Sequence, residues 1–162
     1  MSNPQSFDSH IAGPSLLFLC VANSARSQMA EGLARARFGD RVRVQSAGSR
    51  PGKLHPHAVA VLAEVGVDIS SQRAKHIDAI DQANVDTVIT LCDEEICPVL
   101  ADAVTHLAWP LVDPVGSTVP AVNQLERFRA VRDELVRRLD HLCVDMNGVA
   151  RRPDGSLPGD SG

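Results

Sequence analysis

Leu19-Cys20-Val21-Ala22-Asn23-Ser24-Ala25-Arg26-Ser27 places a thiol and a guanidinium on either side of five small or polar residues. The apolar run Ser15-Leu16-Leu17-Phe18-Leu19 precedes it, and Ser27–Phe38 follows with Met29, Leu33, Ala34, Ala36 and Phe38 near helical spacing, so the unit reads as strand, loop, helix. A loop of that length can turn its main-chain N–H groups inward as a nest of partial positive charge, reinforced by the helix N-terminus. The expected oxyanion-binding residues are Val21, Ala22, Asn23, Ser24, Ala25, Arg26 and Ser27. Arg26 offers a planar two-pronged donor, and Cys20 at the floor is a nucleophile whose thiolate the surrounding potential favours. An inert buried thiol would not require Asn, Ser, Arg and Ser immediately downstream. Ser27 has two open readings, helix N-cap or hydrogen-bond partner of the thiolate.

Outward from the loop, strands and helices alternate. Arg41–Ala47 alternates Val42 and Val44 with polar residues, as a strand with one wet face does. His55-Pro56-His57 opens an amphipathic helix through Glu64, with Pro56 in the first turn and Gly66 as the stop. A polar loop, Ser71–His76, leads to a short helix expected over Asp78–Ala83. Val85–Leu91 is a buried strand that delivers Cys92; His106–Trp109 is a fourth strand that leads to Asp113-Pro114. Val122–Leu142 is a long final helix with Leu125, Phe128, Val131, Leu135 and Leu139 along one side. The pattern predicts an α/β fold: one three-layer domain with a four-stranded parallel sheet flanked by helices. Its site should lie beyond the carboxyl ends of the strands, where Cys20, Cys92 and Asp113 emerge. Residues 15–143 form the expected domain; 1–14 and 144–162, rich in turn formers without apolar periodicity, are expected to be flexible extensions.

The 162 residues carry a formal charge of −4, four Phe, one Trp and no Tyr. Nucleic-acid binding needs a clustered basic face and stacking rings, so neither the charge nor the aromatics favour it. The run Leu16–Leu19 is too short to span a membrane or direct export, and a cytoplasmic protein is expected. Cys20, Cys92, Cys97 and Cys143 are too sparse for a disulfide scaffold and suit catalytic or redox thiols instead. Cys92, Cys97 and His106 lack the second ligand pair of a zinc finger, so no metal and no cofactor are expected.

Taken together these residues resemble arsenate reductases built on the low-molecular-weight tyrosine phosphatase fold. Cys20–Gly32 looks like the anion loop and first helix of that family, and Val44-Gln45-Ser46-Ala47-Gly48 like its second strand. Val88-Ile89-Thr90-Leu91-Cys92, Cys97-Pro98, His106–Trp109, Asp113-Pro114 and Phe128–Leu135 continue the similarity in order. The loop pattern alone is shared by all cysteine phosphatases. Cys92 and Cys97 are what narrow it.

The resemblance implies that Cys20 attacks arsenate to form a thiol–arsenate adduct, with Asp113 as general acid. Cys92 would then release arsenite by attacking the Cys20 sulfur, and Cys97 would leave a Cys92–Cys97 disulfide for thioredoxin, or for a low-molecular-weight thiol with glutaredoxin. The alternative is a low-molecular-weight phosphatase hydrolysing phosphate monoesters through a Cys20 phosphocysteine. Such phosphatases place tyrosines after the Asp-Pro pair, where this chain has Val115-Gly116-Ser117. In a regular helix Cys92 and Cys97 would stand about 7.5 Å apart along the axis, so their disulfide requires a bend, which Pro98 favours. Ala22 replaces the usual loop glycine, and Ala25 a loop cysteine common in the family. Some relatives hold potassium with Asn, Glu and Ser side chains matched by Asn23, Glu31 and Ser46; their Thr and Asp region reads Arg73-Ala74-Lys75 here, so a cation from Lys75 or Arg73 is expected in place of the metal.

Overall fold

The computed structural model describes residues 14–81, 84–92, 105–116, 121–144 and 150–151. β1 (Ser15–Cys20) is buried along its whole length, which a continuous apolar strand achieves only in the middle of a covered parallel sheet. It pairs in parallel with β2 (Arg43–Gly48) on one side and β3 (Thr87–Thr90) on the other; β4 (Thr105–Ala108) extends the sheet beyond β3. The order is β2-β1-β3-β4, so the chain leaves β1 toward one edge and returns to build the other. The carboxyl end of β1 is therefore a topological switch point, the place where open α/β sheets bind ligands.

The expected elements are present with small shifts in their ends. The first helix, α1 (Arg26–Phe38), begins at Arg26, and a 3-10 turn at Gly39–Arg41 delays β2 to Arg43. Helix α2 (Pro56–Ala63) starts on Pro56 as anticipated, and α3 (Ala121–Asp140) is the long final helix. Where a short helix is expected over Asp78–Ala83, the described residues form a single 3-10 turn at Ile77–Ala79. Cys143–Val144 (β5) and Ala150–Arg151 (β6) pair antiparallel.

The three α-helices among the described residues all contribute to the core on one face of the sheet, around Leu16, Phe18, Ile89, Met29, Leu62, Phe128 and Leu135. The other face buries Leu17, Leu19, Ala47, Val85 and Val88 beneath Ile77 and Ile80. Gly32 shows how close α1 lies to its neighbours, since a Cβ there would stand 2.3 Å from Ile69 Cγ2 and 3.1 Å from Leu62 Cδ2. No helix among the described residues is long and apolar enough to cross a membrane.

Glu64, at the end of α2, receives hydrogen bonds from Arg129 and Arg132 of α3, at 2.7 Å from Arg129 Nη2 and 2.6 Å from Arg132 Nη1. Arg132 Nη1 also donates to Val61 O at 2.9 Å, so one guanidinium joins the side chain and main chain of α2 to α3. The hydrogen bonds from Arg129, then those from Arg132, lower the Glu64 carboxyl to a pKa of about 2. A depressed acid stabilises the fold above its unfolded-state value and loses that contribution as pH falls through the folded one. Glu64→Gln is expected to lower the Tm at pH 7, with the difference from the parent vanishing as pH approaches 2 in thermal melts.

Candidate active site

Residues 21–25 join β1 to α1, and every main-chain carbonyl among them is consumed from outside the loop. Val21 O accepts from Arg50 N, Ala22 O from Gly52 N and Ser24 O from His55 N, each at 2.9 Å; Ala25 O accepts from Met29 N, also at 2.9 Å. Asn23 O accepts from Gln28 Nε2 at 3.1 Å. With the carbonyls turned outward, the peptide planes turn their N–H groups inward. Those of Ala22, Ser24 and Ala25 have no hydrogen-bond partner among the described residues. Unpartnered N–H groups at a helix N-terminus are the ordinary setting for a bound anion.

Asn23 is the one non-glycine residue with positive φ among those described, at 48°. That conformation costs an ordinary L-residue roughly 1–2 kcal/mol. Asn suffers least, and its side chain makes the loop's central hydrogen bonds, each contributing about 1 kcal/mol. Ala22, in place of the family's glycine, keeps negative φ and needs no strained torsion. Gly48 is the close approach: a Cβ there would meet Val21 O at 2.3 Å.

Cys20 is free and 2 % exposed. Its Sγ accepts from Asn23 N at 3.2 Å and lies 2.8 Å from Ser27 Oγ. The helix has no side-chain cap, so Ser27 serves the thiol and not the helix end. The direction of the Ser27 proton follows from its neighbours. Glu31, buried and acceptor-only as a carboxylate, takes the Ser46 hydroxyl proton at 2.5 Å. Ser46 Oγ then accepts one Asn23 Nδ2 hydrogen at 2.9 Å, and Ser27 Oγ the other at 2.7 Å. Ser27 is left to donate to sulfur.

Lys75 completes this chain. Its Nζ lies 3.3 Å from Glu31 Oε1, and its main-chain N donates to Asn23 Oδ1 at 2.7 Å. Arg35 Nη2 pairs with the other Glu31 oxygen at 3.0 Å. Of the two expected cations, Lys75 reaches the carboxylate, and Arg73 contributes its carbonyl to the lysine Nζ at 2.9 Å. Glu31, the one charged member of the donor set Asn23, Glu31 and Ser46, is thus already paired with a protein cation.

Arg26 is 5 % exposed and lines the cavity, with Nη1 donating to Leu111 O at 3.0 Å and Leu91 O at 3.4 Å. Those carbonyls lie just before Cys92 and two residues before Asp113. Leu91 N in turn bonds Leu19 O at 2.9 Å, so Cys20 and Cys92 leave the same edge of adjacent strands, which run about 4.8 Å apart. Cys92 is disulfide-bonded. Cys97 lies outside the described residues. Asp113 is exposed; its Oδ1 accepts from Val115 N at 2.9 Å, a side-chain turn that sets it at the cavity mouth. Cys20, Ala22, Ser24, Ala25, Arg26, Asp113 and Val115 enclose a cavity of about 190 Å³.

The structure thus brings together Cys20, the anion loop, Arg26, Cys92 and Asp113. Sequence reading missed the residues that hold them: Arg50, Gly52 and His55 on the loop carbonyls, and Gln28, which takes a hydrogen bond from Gln72 Nε2 at 2.7 Å while donating to Asn23. Their one sequence signal is Gln28 and Glu31, two polar side chains within the stretch of α1 that is buried all round.

A free cysteine under a main-chain anion nest closed by arginine defines a cysteine-based oxyanion site. A profile of the low molecular weight phosphotyrosine protein phosphatases matches residues 15–151. Arsenate reductase of Bacillus subtilis is 40% identical over 126 residues, covering 76% of this chain and 91% of that one. A solved arsenate reductase in the phosphate binding state superimposes with a TM-score of 0.68 at 34% identity, over 78% of this chain and 94% of the other. A thioredoxin-dependent arsenate reductase of Corynebacterium glutamicum gives 0.57 at 28% identity, over 83% of this chain and 71% of that one. The chain belongs to the low molecular weight phosphotyrosine protein phosphatase family, and the relatives it matches at 36–40% identity are named arsenate reductases.

Lys75→Met removes the cation from Glu31 and disturbs the polarity of the Glu31–Ser46–Asn23–Ser27 chain. Alkylation of Cys20 by iodoacetamide at pH 7 is expected to slow several-fold, and added potassium to restore part of the rate. Gly48→Ala pushes on the Val21 carbonyl, and protection of Cys20 by phosphate in the same assay should weaken at least tenfold.

Proposed function

We propose that this protein reduces arsenate to arsenite, with Cys20 as nucleophile, Arg26 and the loop N–H groups as oxyanion binders, Asp113 as general acid, and Cys92 with Cys97 as the redox pair. The observation that carries the reading is the disulfide-bonded Cys92 at the strand end beside a free Cys20. Phosphate-ester hydrolysis needs no second sulfur there. Reduction does, because two thiols becoming one disulfide supply the two electrons that take arsenic from pentavalent to trivalent.

The Cys20 thiolate forms an S–As bond while one As–O bond breaks, and the oxygen leaves as water with the Asp113 proton. The Cys92 thiolate then attacks the Cys20 sulfur. The electron pair of the S–As bond stays on arsenic, which leaves as arsenite after taking protons from water. The Cys97 thiolate displaces Cys20 from the mixed disulfide, so the nucleophile returns free and Cys92 ends paired. With Cys20 free, Cys97 is the nearest cysteine in the chain to serve as that partner. Thioredoxin is the reductant favoured by the likeness to the Corynebacterium glutamicum enzyme, and a chemistry that needs reduced thiols suits the cytoplasm.

A cavity of about 190 Å³ is below the roughly 300–1,000 Å³ of drug-sized sites, and among the described residues no aromatic side chain lines it. It suits a free tetrahedral oxyanion better than an aryl phosphate ester.

The test is arsenate-dependent oxidation of reduced thioredoxin. The parent is expected to turn over. Cys20→Ser and Cys92→Ser should both fall to background, while Cys92→Ser keeps the protection of Cys20 from alkylation by phosphate. Full turnover in Cys92→Ser would remove Cys92 from the pathway.

A further inference from the structure

We propose that Gln28 is a positioning residue for oxyanion binding: its side-chain amide holds the Asn23 carbonyl outside the anion loop and so aims the Ser24 N–H into the cavity. The inference rests on the arsenate-reductase reading and names a residue on which its anion site depends. Four of the five loop carbonyls are held by main-chain N–H groups, those of Arg50, Gly52, His55 and Met29. The Asn23 carbonyl differs. Among the described residues its partner is a side chain, Gln28 Nε2 at 3.1 Å. No peptide bond among the described residues is cis, so a carbonyl drawn toward Gln28 turns the Ser24 N–H of the same peptide the opposite way. Ser24 lines the cavity together with Cys20 and Arg26.

Main-chain groups fix the direction of the Gln28 amide. Its Nε2 faces Arg73 O at 2.7 Å and Asn23 O at 3.1 Å, and a carbonyl only accepts, so the nitrogen is the atom on that side. Asn23 Oδ1 lies 2.9 Å from the same nitrogen. With two hydrogens for three acceptors, one bond is shared, and the two Asn23 oxygens are the pair that a single hydrogen can bridge. Gln28 thereby clamps the main chain and side chain of Asn23 together in the left-handed torsion of the loop. On its other side Gln28 Oε1 accepts from Gln72 Nε2 at 2.7 Å, and that nitrogen also donates to Gln28 O at 3.1 Å, which fixes the Gln72 amide as well. Gln28 is fully buried, so water does not take over a lost bond.

Without the Gln28 donor, the Asn23 carbonyl would be a buried acceptor with no partner, at a residue whose positive φ has lost its clamp. Turning that carbonyl toward the cavity would set an oxygen against the bound oxyanion in place of an N–H. The thiol is served separately. Lys75 N still holds Asn23 Oδ1 at 2.7 Å, which keeps Asn23 Nδ2 on Ser27 and the Ser27 hydroxyl on the sulfur. The loss is therefore selective: the anion site weakens while the nucleophile keeps its hydrogen bonds.

The test is made on the full chain with Gln28→Met, which keeps the length of the side chain and removes its donor. Protection of Cys20 from iodoacetamide by inorganic phosphate is measured beside alkylation without phosphate at pH 7 and the KM for arsenate in thioredoxin oxidation. Loss of one hydrogen bond to a charged group is expected to weaken the protection and raise KM about tenfold each, with alkylation in the absence of phosphate within about twofold of the parent. A residue that merely packs under the loop would lower the Tm and leave phosphate protection intact, and that result would overturn the proposal. Alkylation without phosphate that falls as far as the protection would overturn it too. Should Gln28→Met melt below the assay temperature, Gln72→Met removes the brace on the Gln28 amide and leaves Gln28 in place; protection should then weaken about threefold, and unchanged protection counts against the proposal. A parent whose phosphate protection depends on Gln28 but which leaves arsenate unreduced would overturn the functional reading instead and uphold the role of Gln28.

Discussion

The loop between β1 and α1 works because its carbonyls have somewhere else to go. Each of the five, from Val21 to Ala25, accepts a hydrogen bond from outside the loop, three of them from the segment that runs from β2 into α2. At about 1 kcal/mol net apiece, these bonds outweigh the left-handed torsion at Asn23 and fix the inward direction of the amides before any ligand arrives. An anion site made in this way costs no reorganisation when it binds, which is the condition for electrostatic stabilisation of a developing charge.

Beneath the loop, one buried negative charge sets the polarity of everything between it and the sulfur. Glu31 can only accept, so Ser46 must donate to it, Asn23 to Ser46 and Ser27, and Ser27 to Cys20. A buried carboxylate calls for a paired charge. Lys75 and Arg35 supply it, and Lys75 does so from the loop that also ties its own main chain to Asn23. The charge that holds the carboxylate thus also fixes the backbone around it.

Arg26 joins this nest to the other half of the chemistry. One of its terminal nitrogens rests on the carbonyls of Leu91 and Leu111, next to Cys92 and close to Asp113. The sheet order makes this possible: with β1 between β2 and β3, the residues leaving all three strands converge on one edge. Cys20, Cys92 and Asp113 follow the ends of β1, β3 and β4, and one guanidinium bonds the carbonyls beside the last two.

The thiol, the arginine five residues beyond, the alternation of strands and helices and the cysteine at the end of the third strand were all legible from residue order, because each depends on local periodicity or on short spacing. The choice of Lys75 or Arg73 as the cation facing Glu31 came from the family resemblance, which did not say which of the two. The role of Ser27, the bracket of Arg50, Gly52 and His55, and the passage of Gln72 through Gln28 to Asn23 depend on contacts between residues up to 44 positions apart in the chain. Hydrogen bonds at that separation leave no periodic trace. The sequence by itself determined that an oxyanion would meet a thiol at the end of β1; only the tertiary structure decided which groups turn the loop inward and aim its protons, since direction belongs to the placement of distant donors and not to the order of the residues they serve.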